Sequence, residues 1–352
     1  MARIPILALT AGAALMAGCA EPNPQLPPPE EVLVVANSTT PSLSVAAISP
    51  TGPEGIVPLS GTSVSSIAAF GPILVASFPL DDAADVVALD GLQLRMTVAL
   101  PAGSGATGTA VLNDTVAYVA NPNLNTITRI DLVTGDTASL AVGTYPQGLI
   151  GTRGSLFVIN GNVMLCAQPG GLCSLGPSWL TVVDPETNDL ATGIDSIPMV
   201  GPGNARYAAV GTDGLLYVMN RGVDTESRLF IVDPVERREV ASFGGFGTNT
   251  GQIASDLGER ILISSPTDGV MAFNTRTRTV DRGTGNGVAV PDNSGLAADG
   301  SFRAYAVQSG GCGGTAGQAV VLDSALAPIG SVPVGMCATE ALVTLIRPGG
   351  SP

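Results

Sequence analysis

Residues 116–149 read VAYVANPNLNTITRIDLVTGDTASLAVGTYPQGL. A first apolar run stops at Asn121, a second stops at Asp131, and a third ends before Tyr145-Pro146. Runs of this length, rich in Val, Ile, Tyr and Thr and divided by Asn, Asp, Gly and Pro, are short β-strands joined by turns. The stretch has counterparts along the chain. VAYVAN (116–121) matches VLVVAN (32–37), ILVASF (73–78), SLFVIN (155–160), LLYVMN (215–220), RILISS (260–265) and RAYAVQ (303–308). A second run follows each copy: LSVAAIS (43–49), DVVALD (85–90), TITRID (126–131), LTVVD (180–184), LFIVD (229–233), VMAFN (270–274) and AVVLD (319–323).

The copies begin about 40 residues apart, with one wider step after residue 155, and a third strand commonly follows, as in TASLAVG (137–143), REVASFG (238–244) and IGSVPVG (329–335). Short strands at that period predict an all-β, seven-bladed β-propeller of four-stranded antiparallel blades. Segments such as PQGLIGTRG (146–154), RYAAVGTDG (206–214) and SGLAADG (294–300) supply the innermost strands. The first copy lacks one, while CATEALVTLI (337–346) follows the seventh copy with nothing left to complete. The C-terminal strand is therefore expected to join blade one and close the ring without an exposed edge.

Composition narrows the chemistry. The 352 residues are 45% hydrophobic and 12% charged, with 45 Gly and 27 Pro. All fifteen basic residues are Arg, and the chain has neither His nor Lys. Ser-His-Asp and Cys-His nucleophile systems, His-ligated metals and lysine Schiff bases are thereby excluded. A net charge of −14 opposes a phosphate backbone, so no nucleic-acid partner is expected. No cofactor and no metal are expected, and a monomer is.

Residues 1–19, MARIPILALTAGAALMAGC, carry one positive charge at Arg3 and an apolar stretch from Ile4 to Met16. This reads as a signal peptide. Its end, Met16 to Cys19, resembles a bacterial lipobox, which implies lipidation of Cys19. Residues 20–31, AEPNPQLPPPEE, contain five prolines and read as a semi-rigid spacer. Residues 32–347 form the propeller, with a blade-four insertion at 161–179, and 348–352 a flexible tail. Ala20 after the Cys resembles the sorting context of outer-membrane lipoproteins. The expected location is the bacterial cell envelope, facing periplasm or surface, with the lipid anchor as the sole membrane contact.

Four further cysteines allow three pairings. Cys166 and Cys173 share the blade-four insertion, and a Cys312–Cys337 bridge would clasp the seam of the ring. The recurring Asp90, Asp131, Asp184, Asp233 and Asp323 are expected to stabilise turns through their backbone amides rather than to bind a ligand. Asn37, Asn121, Asn160 and Asn220 are assigned to turn geometry in the same way, with some binding potential at the rim.

These residues resemble the bacterial YVTN repeat. Tyr118-Val119-Ala120-Asn121, Ile130-Asp131 and Tyr145-Pro146-Gln147-Gly148 carry the match, and LYVMN (216–220) with FIVDP (230–234) repeats it. The resemblance spans about residues 32–347 and is clearest in blades three to five. It implies an exported propeller of the binding type, here a non-catalytic scaffold for an envelope protein, peptide or glycan. Trp179 and the insertion around it are the candidate contact loop. The alternative is a sugar-like small-molecule binder or a metal-dependent lactonase or lyase. Its channel mouth would be lined by Ser65, Thr107, Gln147, Tyr207, Gln252, Asn293 and Glu340. Only Glu340 of these is acidic, and one carboxylate makes a poor divalent site.

Overall fold

The computed structural model describes residues 28–49, 52–166, 171–223 and 225–347. The segments expected to be the signal peptide with Cys19, most of the spacer and the C-terminal tail lie outside the described residues. Seven antiparallel sheets form the ring. Blade one is built from Glu30–Asn37, Ser42–Ala47, Gly55–Pro58 and the C-terminal Ala338–Ile346. Blade two follows as Ser66–Phe70, Ile73–Phe78, Ala83–Ala88 and Gln93–Ala99, and blade three as Thr109–Val111, Val116–Asn121, Thr126–Asp131 and Thr137–Ala141. Blade four comprises Pro146–Thr152, Ser155–Asn160, Trp179–Asp184 and an outer edge split between Asp189–Leu190 and Ser196–Pro198.

Blades five to seven keep the regular pattern. They are Ala205–Val210, Leu216–Asn220, Arg228–Asp233 and Arg238–Phe243; then Ile253–Ser255, Arg260–Ser265, Gly269–Asn274 and Thr279–Arg282; then Asn293–Ala298, Ala304–Gln308, Ala316–Leu322 and Pro328–Met336. Pro122–Leu124 adds one short 3-10 turn.

The second strand of each blade is buried on both faces, which is why it reads as an unbroken apolar run. Alternate side chains go to opposite neighbours. Val32, Val34 and Ala36 pack with Leu74, Ala76 and Phe78 of blade two, while Leu33 and Val35 pack with Tyr305 and Val307 of blade seven. Seven such apolar clusters exist, one between each pair of adjacent blades. The core is thus divided into wedges rather than gathered at a centre.

Ring closure occurs as the sequence predicts. Ala338–Ile346 runs antiparallel to Glu30–Asn37, pairing Glu30 with Ile346 and Asn37 with Ala338. That strand of blade one starts two residues earlier than expected, so Glu30 and Glu31 belong to the sheet rather than the spacer. Glu31 accepts the Gly300 N–H at 2.8 Å and so also ties blade one to blade seven. Cys312 and Cys337 are disulfide-bonded across the seam, and Cys166 pairs with Cys173. Two disulfides fit an oxidising, exported compartment.

The recurring acids behave as turn residues. Asp131 Oδ1 accepts the N–H groups of Val133 and Thr134, both at 2.9 Å. Asp233, Asp184, Asn274 and Asp323 repeat the pattern. The Thr134 and Val133 amides hold the Asp131 carboxyl below its ordinary pKa. A second recurring acid sits at the turn between first and second strands. Asp256 and Asp299 each accept two backbone amides and an Arg side chain four residues on.

The asparagines require a correction. Assigned from the sequence to turn geometry, Asn37, Asn121 and Asn160 are instead buried strand-end residues whose side chains bridge second and third strands. Asn121 Nδ2 donates to Thr126 and Thr128 at 3.0 and 2.8 Å, Asn37 to Ser42 and Ser44, and Asn160 to Thr181. Asn220 instead donates to Pro202 O and accepts from Gly222 N–H. Buried amides of this kind are retained because an unmade hydrogen bond there is costly.

The C-terminal strand makes a direct prediction. A chain ending at Cys337 lacks the innermost strand of blade one and exposes the edge of Glu30–Asn37. Its thermal unfolding, followed by circular dichroism, is expected to lose the single sharp transition of the full chain and to bind a hydrophobic dye at room temperature. A cooperative transition at the full-length temperature would refute this account of closure.

Candidate functional site

The seven innermost strands surround a central channel, and small residues let them approach. A Cβ added to Gly148 would overlap the carbonyl oxygen of Arg206. One at Gly108 would lie 2.6 Å from Gln147 O, and one at Gly295 would lie 2.8 Å from Thr339 O. Glycine is thus required on steric grounds where one blade's inner strand meets the next.

Polar side chains stitch the same junctions. Gln252 of blade six donates to Ala341 O at 2.7 Å and accepts from the N–H groups of Leu296 and Ala341, joining blades six, seven and one. Glu340 Oε2 accepts the Ile67 N–H at 3.0 Å, joining blade one to blade two. Ser66 and Thr109 hydroxyls meet at 3.2 Å between blades two and three. Thr107 donates to Pro146 O, and Gln147 donates to Asn204 Oδ1 and Ala205 O.

The expected channel-mouth residues are therefore distributed unevenly. Gln147, Tyr207, Gln252 and Glu340 line a throat of about 110 Å³, together with Arg206. Ser65, Tyr207, Asn293 and Glu340 line a wider mouth of about 390 Å³, again with Arg206 and now also Arg221 and Asn249. Thr107 lines neither; Gly108 and Thr109 occupy the corresponding wall of the throat. Gln147, Gln252 and Glu340 are committed to blade-to-blade hydrogen bonds. Asn293 is fully buried and donates to Gly269 O at 3.1 Å.

Two residues central to the mouth, Arg206 and Arg221, are absent from the sequence-derived set. Arg206 reaches across the channel from blade five, where Nη2 donates to Ser65 O at 3.3 Å, and its guanidinium carbon stands 5.1 Å from the Tyr207 ring centroid. Arg221 Nη2 donates to Asn249 Oδ1, and its buried Nε has no hydrogen-bond partner. A signal for Arg206 is present in retrospect: it is a cation inside the otherwise uncharged inner strand ARYAAV.

Electrostatics in the mouth follow from depth within the ring. Burial pushes the Glu340 carboxyl up, against the opposing pull of Arg206 and the hydrogen bonds from Ile67 and Ser66. Burial likewise raises the Tyr207 phenol. Burial lowers Arg221, and the like charge of Arg206 adds to that effect. Among the described residues no three Cys, Asp or Glu side chains converge to hold a metal ion.

Trp179 starts the third strand of blade four, paired with Asn160 and Pro198, and its ring lies against Gly143. The exposed part of the insertion is instead a small hairpin, Val163–Leu165 with Leu172–Ser174. Ser174 Oγ accepts the Gly203 N–H and Ser178 bonds to Gly161 O and the Ala205 N–H, so the hairpin base is knitted to blade five. Met164, Leu165 and Leu175 remain 49%, 64% and 54% exposed. The recess beside the hairpin shares Arg221 and Asn249 with the channel mouth, so hairpin and mouth adjoin.

No family model matches the chain, and no curated protein resembles it in sequence. Solved structures do share its fold. A structure of Kuenenia stuttgartiensis hydrazine synthase has a TM-score of 0.61 at 15% identity, over 82% of this chain and 96% of that one. Selenomethionine-substituted virginiamycin B lyase from Staphylococcus aureus gives 0.58 at 12% identity, over 87% and 89%. The chain is a seven-bladed β-propeller. At these identities the likeness extends to the fold alone.

Glu340 provides a pH test. Its folded pKa is raised above the ordinary 4.5, so its contribution to stability is full at low pH and lost as pH rises through the raised value. Glu340→Gln keeps an acceptor for Ile67 and does not ionise. The variant is expected to match the wild type in thermal unfolding near pH 4 and to melt higher near pH 7. A variant that melts lower near pH 7 would show that attraction to Arg206 outweighs burial.

Proposed function

We propose that the protein is an exported, membrane-anchored, non-catalytic propeller of the YVTN type that presents one loop-rich face to an envelope protein or peptide. One observation carries this reading: a disulfide-closed hairpin, fixed at its base to blade five, holds Met164, Leu165 and Leu175 out to solvent beside the channel mouth. A stem already closed by a disulfide and hydrogen-bonded at its base has less backbone entropy to lose on contact. Anchoring through Cys19 and the Pro-rich spacer would set this face away from a membrane.

Catalysis is poorly served by the groups at the mouth. The chain has no His or Lys to move protons near neutral pH. Glu340 is 5% exposed and engaged with Ile67, and burial keeps the Tyr207 phenol protonated. The hydrazine synthase and the lyase are enzymes on the same scaffold, but chemistry resides in the side chains at the site rather than in the fold.

Two measurements test the proposal. Replacing Met164, Leu165 and Leu175 together by Ser is expected to reduce crosslinking to the wild-type partner in intact cells by at least about tenfold, the equivalent of 1.4 kcal/mol. Thermal unfolding of the purified variant should stay unchanged; undiminished crosslinking would reject the hairpin as the contact. For the anchor, Cys19→Ser is expected to shift the protein from the membrane to the soluble fraction and to abolish metabolic labelling by a fatty acid. Retention of both would reject lipidation at that residue.

A further inference from the structure

We propose that the channel mouth is a binding site for a small hydroxylated carboxylic acid, such as a sugar acid, whose carboxylate is received by Arg206 and Arg221. The inference concerns the mouth alone and does not depend on a partner at the hairpin.

The first observation is one of charge. The chain carries a net −14, yet two of its fifteen cations line this one recess, and among the described residues neither is in an ion pair. Arg238, Arg260, Arg276 and Arg303 are each paired with a carboxylate, and what distinguishes Arg206 and Arg221 from the other described arginines is that they share one recess. Arg206 uses one donor on Ser65 O and Arg221 one on Asn249 Oδ1, which leaves most of both guanidinium forks unspent. The planar fork of Arg matches a carboxylate through two parallel hydrogen bonds.

The second observation is a set of unmet polar groups in the same wall. Arg221 Nε is buried without an acceptor, and Asn293 Oδ1 is buried without a donor. Both residues line the mouth. A buried donor and a buried acceptor left unmet at one recess call for a ligand that offers both, as a hydroxy acid does. Burial lowers the pKa of Arg221, so an arriving anion would relieve a cost already present.

The third is shape and neighbourhood. A mouth of about 390 Å³ falls in the lower part of the roughly 300–1,000 Å³ range of small-ligand pockets, enough for one sugar-sized acid. Tyr207, Pro79 and Pro266 also line it and add apolar surface beside the arginines. Glu340 is the one acidic residue lining the mouth, and its carboxylate is turned to the Ile67 N–H. Burial there also disfavours its charged form, which weakens its repulsion of an acid.

Calorimetric titration of the purified full-length protein with D-galacturonate, D-galactose and inorganic phosphate tests the assignment. Saturable one-site binding of galacturonate is expected, with galactose and phosphate each at least about tenfold weaker. Arg206→Gln and Arg221→Gln should each weaken galacturonate by about tenfold or more, and Arg221→Lys should not restore it, because a point charge lacks the fork. Equal binding of galactose would overturn the role of the carboxylate, and equal binding of phosphate would overturn the preference for a planar acid. Absence of galacturonate binding to the wild type, or binding unchanged in both Gln variants, would overturn the site. The wild-type selectivity stands as a test even if a variant fails to fold. The hairpin crosslinking result is read independently, so either proposal can fail alone.

Discussion

The structure depends on how closely seven inner strands can converge. A blade is a sheet whose inner edge would otherwise point unpaired into the channel. Here the edges are brought within reach of one another, and side chains complete the junctions. Gly148 against Arg206 O, Gly108 against Gln147 O and Gly295 against Thr339 O set the distance. Gln252, Gln147, Glu340, Ser66 and Thr109 then bond across it. With the axis fixed in this way, the seven apolar wedges between blades can pack to a single arrangement. A residue too large at the axis would spread the strands and loosen every wedge beside it.

What was legible in the sequence follows from this geometry. Second strands are covered on both faces, so VLVVAN and VAYVAN are continuous apolar runs that repeat visibly. Turn acids such as Asp131 act on amides two and three residues away, and local bonding of that kind leaves a local pattern. The seam could be inferred by counting strands, since blade one lacked one and the chain ended with one to spare. Nothing local, by contrast, signals that Glu30 and Glu31 join the strand that ends at Asn37. They are acidic residues after three prolines, and their pairing is decided by Leu345 and Ile346 at the other end of the chain.

The candidate site was less legible for the same reason. Alignment of inner strands located the correct region, yet it could not separate polar residues that bond to a neighbouring blade from those that face solvent. Gln252 and Asn293 look alike as sequence, but one bridges three blades and the other leaves an acceptor unmet. Their partners lie 24 to 89 residues away, and no periodicity records them. Arg221 was hidden further, because it follows LYVMN immediately and reads as the start of a connecting loop. Fold comparison does not fill this gap. Structures at 15% and 12% identity share the arrangement of strands, while the groups exposed at the axis belong to each chain separately.

The axis also determines how the mouth arginines are held. Arg206 leaves blade five at the point where Gly148 of blade four presses on its carbonyl oxygen, and its guanidinium is fastened to Ser65 O of the segment leading into blade two. Those two fixed points lie on opposite sides of the recess. The side chain therefore reaches over the opening, with its guanidinium against the Tyr207 ring. Arg221 is oriented from the next element by Asn249. Long, flexible cations ordinarily lose rotamer freedom when they bind a ligand, and that loss weakens the complex. In this ring much of the ordering has already occurred on folding. The inner strands that close the axis also carry Arg206 and Tyr207, so the placement of charge at the mouth follows from ring closure.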